Sequence, residues 1–418
     1  MSASPPQPQA PAKAAALPPF TSYERFIVGV LAFLQFAVIL DFMLMAPLGA
    51  MIMPALSIEP SQFGLIVSAY AFSAGASGLL MAGFADRFDR KRLLVVFYTG
   101  FILGTCWCGL ANSFESLLAA RIVTGLFGGV IGSIVMAIST DLFPPQMRGR
   151  VMGVIQTSFA ASQVLGIPIS LFLSSHWDWH VPFLALAGLG VLAGLVVAAR
   201  MRPLTGHLAL AESRSSPWAH LWATVAQPRH LLAFAATGLV TIGGFMLMPF
   251  SSAFIVGNLG IDLHSLPTVY FATGLSAIVA GPLIGRAADA FGKFRVFVVG
   301  TVLSMAMVLV YTHLPPVPLA LLIGVNVVLF VGIFSRMIPF QAMVASVPSP
   351  AQRGAFNAIS ASLQQLAGGL ASVLAGHIVS QAPGGRLLHF DVVGYVVVCT
   401  SMVAATLVWR LSRSPGRH

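Results

Sequence analysis

The segment ADRFDRKR, at residues 85–92, recurs as ADAFGKFR at residues 288–295, an offset of 203 residues. A second pair of segments, PPQMRGR at 144–150 and SPAQRGA at 349–355, matches at an offset of 205. Two matches at nearly one offset indicate an internal repeat, in which each copy supplies half of the fold.

The composition excludes an ordinary soluble protein. The 418-residue chain is 57% hydrophobic and 8% charged, with a mean hydropathy of +0.89. A soluble domain carries about 25% charged residues, so this chain lacks the polar surface that water requires. The sequence therefore predicts that most of the chain lies in a lipid bilayer, which is an expected partner of the protein.

Apolar segments of membrane-spanning length recur along the whole chain. Each approaches or exceeds the roughly 20 residues needed to cross the hydrocarbon core. They lie at about 25–50, 62–84, 93–112, 115–141, 150–174, 181–201, 230–257, 266–290, 295–313, 317–347, 352–380 and 389–411. The tenth and eleventh are the least sharply bounded, because Pro339 and Pro348 interrupt the pattern. We expect an all-α membrane protein of twelve transmembrane helices in two six-helix bundles.

The polar stretches divide the chain into five parts. Residues 1–20 are rich in Pro, Ala, Gln and Ser and are expected to form a disordered cytoplasmic tail. The first bundle is predicted at 21–201 and the second at 230–411, joined by a central cytoplasmic loop at 202–229. Residues 412–418 form a second cytoplasmic tail.

The distribution of basic residues predicts the orientation. If both termini are cytoplasmic, all Lys and Arg residues fall in cytoplasmic segments except Arg386, in an outside loop, and Arg121 and Arg336, inside helices. This is the asymmetry of the positive-inside rule, and it predicts a multi-pass protein of a bacterial inner membrane. It also explains the net charge of +10 without a nucleic-acid partner.

Motifs of other protein classes are absent from the sequence. It contains no G-x-x-x-x-G-K-[ST], no H-E-x-x-H and no nucleophile elbow, so neither an enzyme nor an ATP-driven pump is indicated. Cys106, Cys108 and Cys399 lie in apolar stretches without the spacing of a zinc site or a disulfide framework. No cofactor and no metal are expected.

Ionisable residues within the predicted helices are the main candidates for function. A charged side chain at mid-membrane costs about 2.5–3.5 kcal/mol on insertion scales, so it normally faces protein or a water-filled cavity. Asp41 and Arg121 each lie nine residues from the outer end of their helix, or about 13 Å deep at 1.5 Å per residue. Similar depth permits contact, but the helix rotations decide it. The pair is either a proton or substrate switch or a permanent link between helices.

Arg336 has no acidic residue nearby in the sequence, and Pro339 follows three residues later. An unpaired arginine in a membrane lines an aqueous path or binds backbone carbonyl groups. The sequence therefore predicts that Arg336 lies in the proton or substrate pathway, together with Asp41 and Arg121.

The repeated loop carries a family resemblance. The first copy, AGFADRFDRKRLL, is similar to the signature G-x-L-A-D-R-x-G-R-K of the major facilitator superfamily, with Ala82 and Asp89 at the two glycine positions. The resemblance covers about 21–411, and within the superfamily the chain looks most like bacterial twelve-helix proton-coupled drug or sugar-efflux antiporters. It implies a cytoplasmic gate in which acids bind arginines and helix ends across the two bundles; the alternative is a solvated basic loop that only sets topology. The gating candidates are Asp86, Arg87, Arg90, Asp289 and Arg295.

Two further helices resemble efflux proteins. In LLAARIVTGLFGG, Arg121 and Gly125 match an arginine followed four residues later by glycine, and the resemblance implies that Arg121 assists proton movement. In GVIQTSFAASQVLGIPIS, Gly166 and Pro168 partly match the antiporter motif of the fifth helix, and they predict a kink and close packing.

The favoured function is proton-coupled export of small molecules, such as drug-like compounds or sugars and other metabolites, by alternating access. The partners would be the small-molecule substrate and protons, and the protein is expected to be a monomer. Two alternatives stay open. One is uptake symport of a metabolite or organic anion; the other is a membrane sensor or assembly factor that does not transport.

Overall fold

The computed structural model describes residues 19–81, 88–205, 217–349 and 352–413. Its helices, in chain order, are α1 (Ser22–Leu44), α2 (Gly49–Leu56), α3 (Pro60–Met81), α4 (Arg90–Cys108), α5 (Phe114–Leu142), α6 (Pro145–Ala161), α7 (Ile167–His176), α8 (Val181–Arg200), α9 (Pro217–Val225), α10 (Pro228–Phe245), α11 (Ser251–Gly257), α12 (Leu266–Phe291), α13 (Lys293–Thr312), α14 (Leu319–Val344), α15 (Arg353–Ile378) and α16 (Phe390–Arg413). A two-residue hairpin pairs β1 (Ser380–Gln381) with β2 (Leu387–Leu388).

Short segments of other helical geometry join some of these helices. A π-helical turn, Ser162–Gly166, connects α6 to α7 in one continuous span. The 3-10 turns Met248–Phe250 and Leu263–Ser265 precede α11 and α12.

Twelve helical segments of the described chain are long and apolar enough to cross a membrane, which confirms the predicted number of spans. Two further spans are irregular in ways that the hydropathy pattern does not show. The chain turns after Leu44 before forming α2, and the seventh span is broken between Phe245 and Ser251. By contrast, α14 continues through Pro339 and ends at Val344.

Side-chain caps and prolines set several helix starts. Thr21 and Glu24 form a reciprocal capping box at the start of α1, and Ser113 caps α5 through the Ser116 amide. Proline occupies the first turn of α6, α8 and α10, where its missing N–H leaves no hydrogen bond unmade.

Twelve crossings bring both ends of the described chain to one end of the bundle. We call this the proximal end; there Phe20 packs against Phe143 at 6.0 Å between ring centroids, and the Arg202 amide donates to the Tyr23 hydroxyl. At the opposite, distal end, the Asn258 side chain donates to the Leu387 carbonyl at 2.8 Å. Residues 1–18, most of the predicted tail, lie outside the described residues.

The two halves meet along a seam formed by four spans. Helix α3 packs on α15, and α12 packs on α7 and the π-helical turn. Gly64 and Gly376 bring α3 and α15 into backbone contact, because a Cβ on Gly64 would lie 2.6 Å from the Ser372 carbonyl. At the distal end the Ser252 hydroxyl donates to the Ala46 carbonyl at 3.0 Å across the seam. The distal seam is therefore closed.

Candidate functional site

A buried ion pair joins α1 to α5. Arg121 Nη1 lies 2.7 Å from Asp41 Oδ2, and both side chains are 0% exposed. The same nitrogen donates to the Asp41 carbonyl oxygen at 3.3 Å. The Thr105 hydroxyl on α4 donates to the other carboxylate oxygen at 3.1 Å. The first intramembrane acid and arginine singled out in the sequence therefore lie in contact, and a third helix holds the carboxylate from its other side.

Helix α3 completes the wall around the arginine. The Arg121 guanidinium lies over the Tyr70 ring, 4.5 Å from its centroid, in the geometry of a cation–π contact. The approach of α3 to α5 needs a small residue about two turns from the arginine, since a Cβ on Gly128 would lie 2.7 Å from the Tyr70 hydroxyl. A larger residue there would push the aromatic ring off the guanidinium.

The hydrogen bonding of this site is incomplete. Nε and Nη2 of Arg121 are buried without a hydrogen-bond partner among the described residues. A buried donor without an acceptor costs about 1–3 kcal/mol, and more when the group is charged. The arrangement therefore contains two unused donors beside a carboxylate that can exchange a proton.

A chain of aromatic rings leads from the ion pair to the seam. Phe42 follows Asp41 on α1 and lies 5.3 Å from Tyr70 between ring centroids. It also lies 6.2 Å from Phe245 at the end of α10, in the second half. Phe42, Phe245 and Met248 line a narrow crevice at the seam. The Tyr70 ring therefore lies between the ion pair and the Phe42–Phe245 contact that joins the two halves.

Arg336 lies apart from this pair, inside the second half. It is 2% exposed, and its Nη1 donates to the Ser401 hydroxyl on α16 at 2.7 Å. Nη2 lies 3.5 Å from the position that a Cβ on Gly244 would take, so the side chain passes directly against α10. Its Nε has no hydrogen-bond partner, and no carboxylate pairs with it in the described chain.

The predicted gating residues are only partly described. Asp86 and Arg87 lie outside the described residues. Arg90 Nε lies 3.1 Å from Asp141 Oδ2, which is a contact within the first half. In the second copy, Asp289 and Arg295 are exposed, and neither is in an ion pair among the residues the structure covers.

Asp89 has a role that the sequence did not reveal. One of its oxygens accepts from the Lys91 amide, which caps α4, and from the Leu204 amide at 3.0 Å. The Arg90 amide in turn donates to the Leu204 carbonyl at 3.3 Å. These two bonds fasten the chain that leaves α8 to the start of α4. The only signal in the sequence was an acid at a position where the family pattern has glycine.

Gly166 and Pro168 lie at the distal side of the π-helical turn in the fifth span. A Cβ on Gly166 would lie 2.7 Å from Leu40 Cδ1, so this part of the span packs closely on α1. The other face of the turn meets the second half, because a Cβ on Gly274 would lie 2.7 Å from the Gln163 carbonyl.

Thr105 and Tyr70 were also missed by the sequence reading. Hydroxyl groups are common inside membrane helices and usually bond to their own backbone, as Thr124 does here with the Ala120 carbonyl. Nothing in the sequence distinguishes Thr105 or Tyr70 from such residues. Only the packing of α3 and α4 around Asp41 and Arg121 identifies them.

Comparison with proteins of known sequence gives relatives over most of the chain. An uncharacterised MFS-type transporter of Bacillus subtilis, YceJ, is 25% identical over 388 residues, which is 92% of this chain and 96% of the relative. A chloramphenicol efflux pump of Mycobacterium tuberculosis is 26% identical over 270 residues, covering 63% of each chain. A Schizosaccharomyces pombe multidrug resistance protein, fnx1, is 31% identical over 137 residues, 33% of this chain and 26% of that protein.

Solved structures show the same fold. A bacterial homologue of the lysosomal transporter Spinster, in an inward-facing and unoccupied conformation, matches with a TM-score of 0.72 at 17% identity, over 94% of this chain and 98% of that one. The nucleoside transporter NupG matches with a TM-score of 0.72 at 15% identity, over 93% and 99%. The family model described as Major Facilitator Superfamily matches residues 31–250 and 233–418. The chain therefore belongs to the major facilitator superfamily, a family of membrane transporters rather than enzymes.

Proposed function

We propose that the protein is a proton-coupled secondary transporter that exports small molecules by alternating access. The observation that carries this proposal is the buried Asp41–Arg121 pair. The Asp41 carboxyl group, which can bind and release a proton, lies between three helices of the first half. A structural link would favour complete hydrogen bonding, whereas this arginine keeps two buried donors without acceptors.

Protonation would change the charge of the pair from zero to +1. The guanidinium stays charged, so a proton on Asp41 leaves Arg121 without its counter-ion in a site that excludes water. The energetic cost of the unpaired guanidinium falls if the site opens to water or if a substrate supplies a hydrogen-bond acceptor. Each proton crossing the membrane supplies about 2.3 kcal/mol per 100 mV and about 1.4 kcal/mol per pH unit.

Export rather than uptake is supported by the names of several relatives. The Mycobacterium tuberculosis relative is named as a chloramphenicol efflux pump, and fnx1 as a multidrug resistance protein. Another Schizosaccharomyces pombe relative, fnx2, is named as a vacuolar amino acid uptake transporter and is 33% identical over 137 residues. Uptake symport of a metabolite or organic anion is the second candidate, and the flux assay below separates it from export.

The buried charges of the two halves bear on the substrate. Arg121 and Arg336 contribute two positive charges, and Asp41 contributes one negative charge when ionised. A dication would meet like charges where they are poorly screened. We therefore assign neutral, zwitterionic or weakly anionic substrates to this transporter, with lipophilic monocations accepted only through contact with Asp41.

The proposed orientation places the proximal end in the cytoplasm of a bacterium and the spans in its inner membrane. The closed distal seam would then seal the outer side, while Asp86, Arg87, Arg90, Asp289 and Arg295 close the proximal side in the opposite state. The proposed unit is a monomer.

The decisive measurement is flux in proteoliposomes with an imposed pH gradient, using a panel of neutral, zwitterionic, anionic and monocationic compounds. Proton-driven accumulation is expected for the wild type. Asp41→Asn is expected to abolish it, because the amide cannot release a proton. Glu115→Gln serves as the matched control, since Glu115 is exposed on the first turn of the same α5 that carries Arg121.

Folding of each variant is checked by its thermal unfolding midpoint and by its elution from a sizing column. Loss of flux in folded Asp41→Asn, with normal flux in Glu115→Gln, supports the mechanism. Unchanged proton-driven flux in Asp41→Asn removes Asp41 from it, and substrate accumulation in the same direction as the protons assigns uptake instead of export.

A further inference from the structure

Two histidines from opposite halves meet at the distal end of the seam. His176 is the last residue of α7, and His264 lies in the 3-10 turn that precedes α12. Their ring centroids are 5.2 Å apart, with an interplanar angle of 71°. Both side chains are exposed. This contact joins the fifth and eighth spans where they leave the seam, and the ion-pair mechanism makes no use of it.

The Nε2 atom of His176 is already oriented as a metal ligand, because the other ring nitrogen is held by a hydrogen bond. Its Nδ1 lies 2.9 Å from the Phe172 carbonyl oxygen, which can only accept, so Nδ1 carries the hydrogen. Nε2 of the neutral ring then presents its lone pair outward. The Phe172 ring packs on the imidazole at 4.1 Å between centroids and limits its rotation. A hydrogen bond from the second ring nitrogen to a carbonyl is the usual support of a metal-ligating histidine.

His264 is free to turn toward a shared ligand position. Neither of its ring nitrogens makes a hydrogen bond within the described part of the chain. Rotation of this side chain about its own bonds can therefore replace the present edge contact with a position in which both Nε2 atoms face one point.

The separation of the rings fits a tetrahedral metal. A zinc–nitrogen bond of about 2.05 Å, added to about 1.15 Å from the nitrogen to the ring centre, places each centroid about 3.2 Å from the ion. At a tetrahedral angle, two such rings have centroids about 5.2 Å apart. The observed spacing is also 5.2 Å, so a metal requires the His264 ring to turn in place but does not require the two halves to move.

We propose that His176 and His264 form a binding site for a divalent transition metal of the kind that imidazole prefers, namely Zn²⁺, Cu²⁺ or Ni²⁺. No group of three or more His, Cys, Asp and Glu side chains able to hold a metal occurs among the described residues. Water therefore supplies the remaining ligands, and binding is reversible rather than structural.

A metal at this site ties the first half to the second. Helix α12 packs on α7 and on the π-helical turn, so these spans must separate distally when the distal side opens. Two coordinate bonds across that seam hold it closed. Metal binding itself does not depend on proton coupling or on the direction of transport; only the arrest of transport rests on the proposed function.

The binding test uses the full-length protein without an affinity-tag histidine. Titration with Cu²⁺ is followed by electron paramagnetic resonance, in which two coordinating imidazoles give a nitrogen hyperfine pattern. His176→Ala and His264→Ala remove one ligand each. His377→Ala is the matched control, because His377 is exposed near the distal end and its Nδ1 also lies 2.9 Å from a carbonyl, that of Val373.

Loss of even a second-shell partner lowers metal affinity about 10–100-fold, so removal of either ligand is expected to raise the half-saturating Cu²⁺ concentration by at least about tenfold. His377→Ala is expected to bind like the wild type. Equal binding by all four proteins, or an equal loss in His377→Ala, overturns the site.

The restraint on the seam is measured separately with Zn²⁺. Spin labels at Asn112→Cys and Pro383→Cys report the distal separation of the halves. Zn²⁺ is expected to remove the longer distances from the distribution and to inhibit flux, and neither effect is expected in His176→Ala or His264→Ala. Zinc bound at the pair with an unchanged distance distribution overturns the restraint, whatever the flux assay shows.

Discussion

At the scale of single residues, position 89 in the first copy of the repeated loop and position 292 in the second differ in backbone conformation. Gly292 has φ +95°, in the region that favours glycine, and it lies between α12 and α13. Asp89, at the matching position 203 residues earlier, has φ −55° and caps α4 with its side chain. The same position thus makes a left-handed turn in one half. In the other half it provides a hydrogen-bonding anchor for Leu204.

The Asp41–Arg121 pair leads to a prediction about stability. Removing one partner of a buried ion pair costs about 3–5 kcal/mol, because the other charge is left unpaired. A carboxyl group can relieve that cost by taking up a proton, whereas a guanidinium cannot. Asp41→Leu is therefore expected to lower the free energy of unfolding by about 3–5 kcal/mol, and Arg121→Met by less. The double variant should recover most of the loss.

Reversible denaturation in mixed micelles measures all three free energies of unfolding, with Glu115→Gln as the control on the same helix. Equal losses in the two single variants, or no recovery in the double variant, would contradict this account of the pair.

The sequence predicted the depth of Asp41 and Arg121 but not their contact. Depth follows from counting residues along a helix of known rise, whereas contact depends on the rotation of each helix about its axis. In a span that is apolar on all sides, the pattern of side chains does not set that rotation. The same reason explains why Thr105 and Tyr70 were not identified, although both touch the pair.

At the scale of elements, the crossing of α3 and α15 gives the most direct test of the distal seam. A methyl group on Gly64 would lie 2.6 Å from the Ser372 carbonyl and 3.2 Å from the Gly376 Cα, and both are backbone atoms. Overpacking of this kind costs about 1–3 kcal/mol. Gly64→Ala is expected to destabilise the distally closed state and to lengthen the distances between spin labels at Asn112→Cys and Pro383→Cys.

Gly29→Ala is the control for that variant, because a Cβ at Gly29 on α1 meets nothing within 4 Å. It should leave the distance distribution as it is in the wild type. If Gly64→Ala also leaves it unchanged, the crossing does not set the distal closure.

The number of spans was predictable from length and hydropathy, but their irregularities were not. The break between α10 and α11 lies at Met246–Phe250, in a stretch as apolar as the helices beside it. Pro249 falls there, yet Pro339 lies inside the continuous α14. A proline in a membrane helix either breaks it or is accommodated, depending on which neighbours satisfy the freed carbonyl. That choice is made by packing between spans.

At the scale of the whole molecule, the repeat explains the plan of the seam. The second span (α3) corresponds to the eighth (α12), and the fifth span (α6 and α7) corresponds to the eleventh (α15). The contact of α3 with α15 is therefore the counterpart of the contact of α12 with α7. Phe42 and Phe245, 203 positions apart, meet each other across the seam. A two-fold arrangement of duplicated halves requires both features: a pair of equivalent helix contacts and a contact between equivalent residues on the axis.

The orientation of the whole molecule is predicted from its basic residues and can be measured directly. Pro383 lies in the distal hairpin and Thr205 follows α8 at the proximal end; both are exposed. In a chain with its native cysteines replaced by alanine, Pro383→Cys should react with a membrane-impermeant maleimide on intact cells. Thr205→Cys should react only after the cells are permeabilised. The reverse pattern would place the termini outside.

The π-helical turn of the fifth span has a consequence for how this span runs beside α1. Three contacts follow one another at a constant interval of four residues: the Ser158 hydroxyl with the Ala32 carbonyl, Ser162 with Phe36, and Gly166 with Leu40. Four residues of an α-helix overshoot a full turn by about 40°, so a straight line of contacts drifts around the helix. The π-helical turn contains more residues than an α-helical turn, so it cancels this drift in the fifth span and keeps the span in contact with α1.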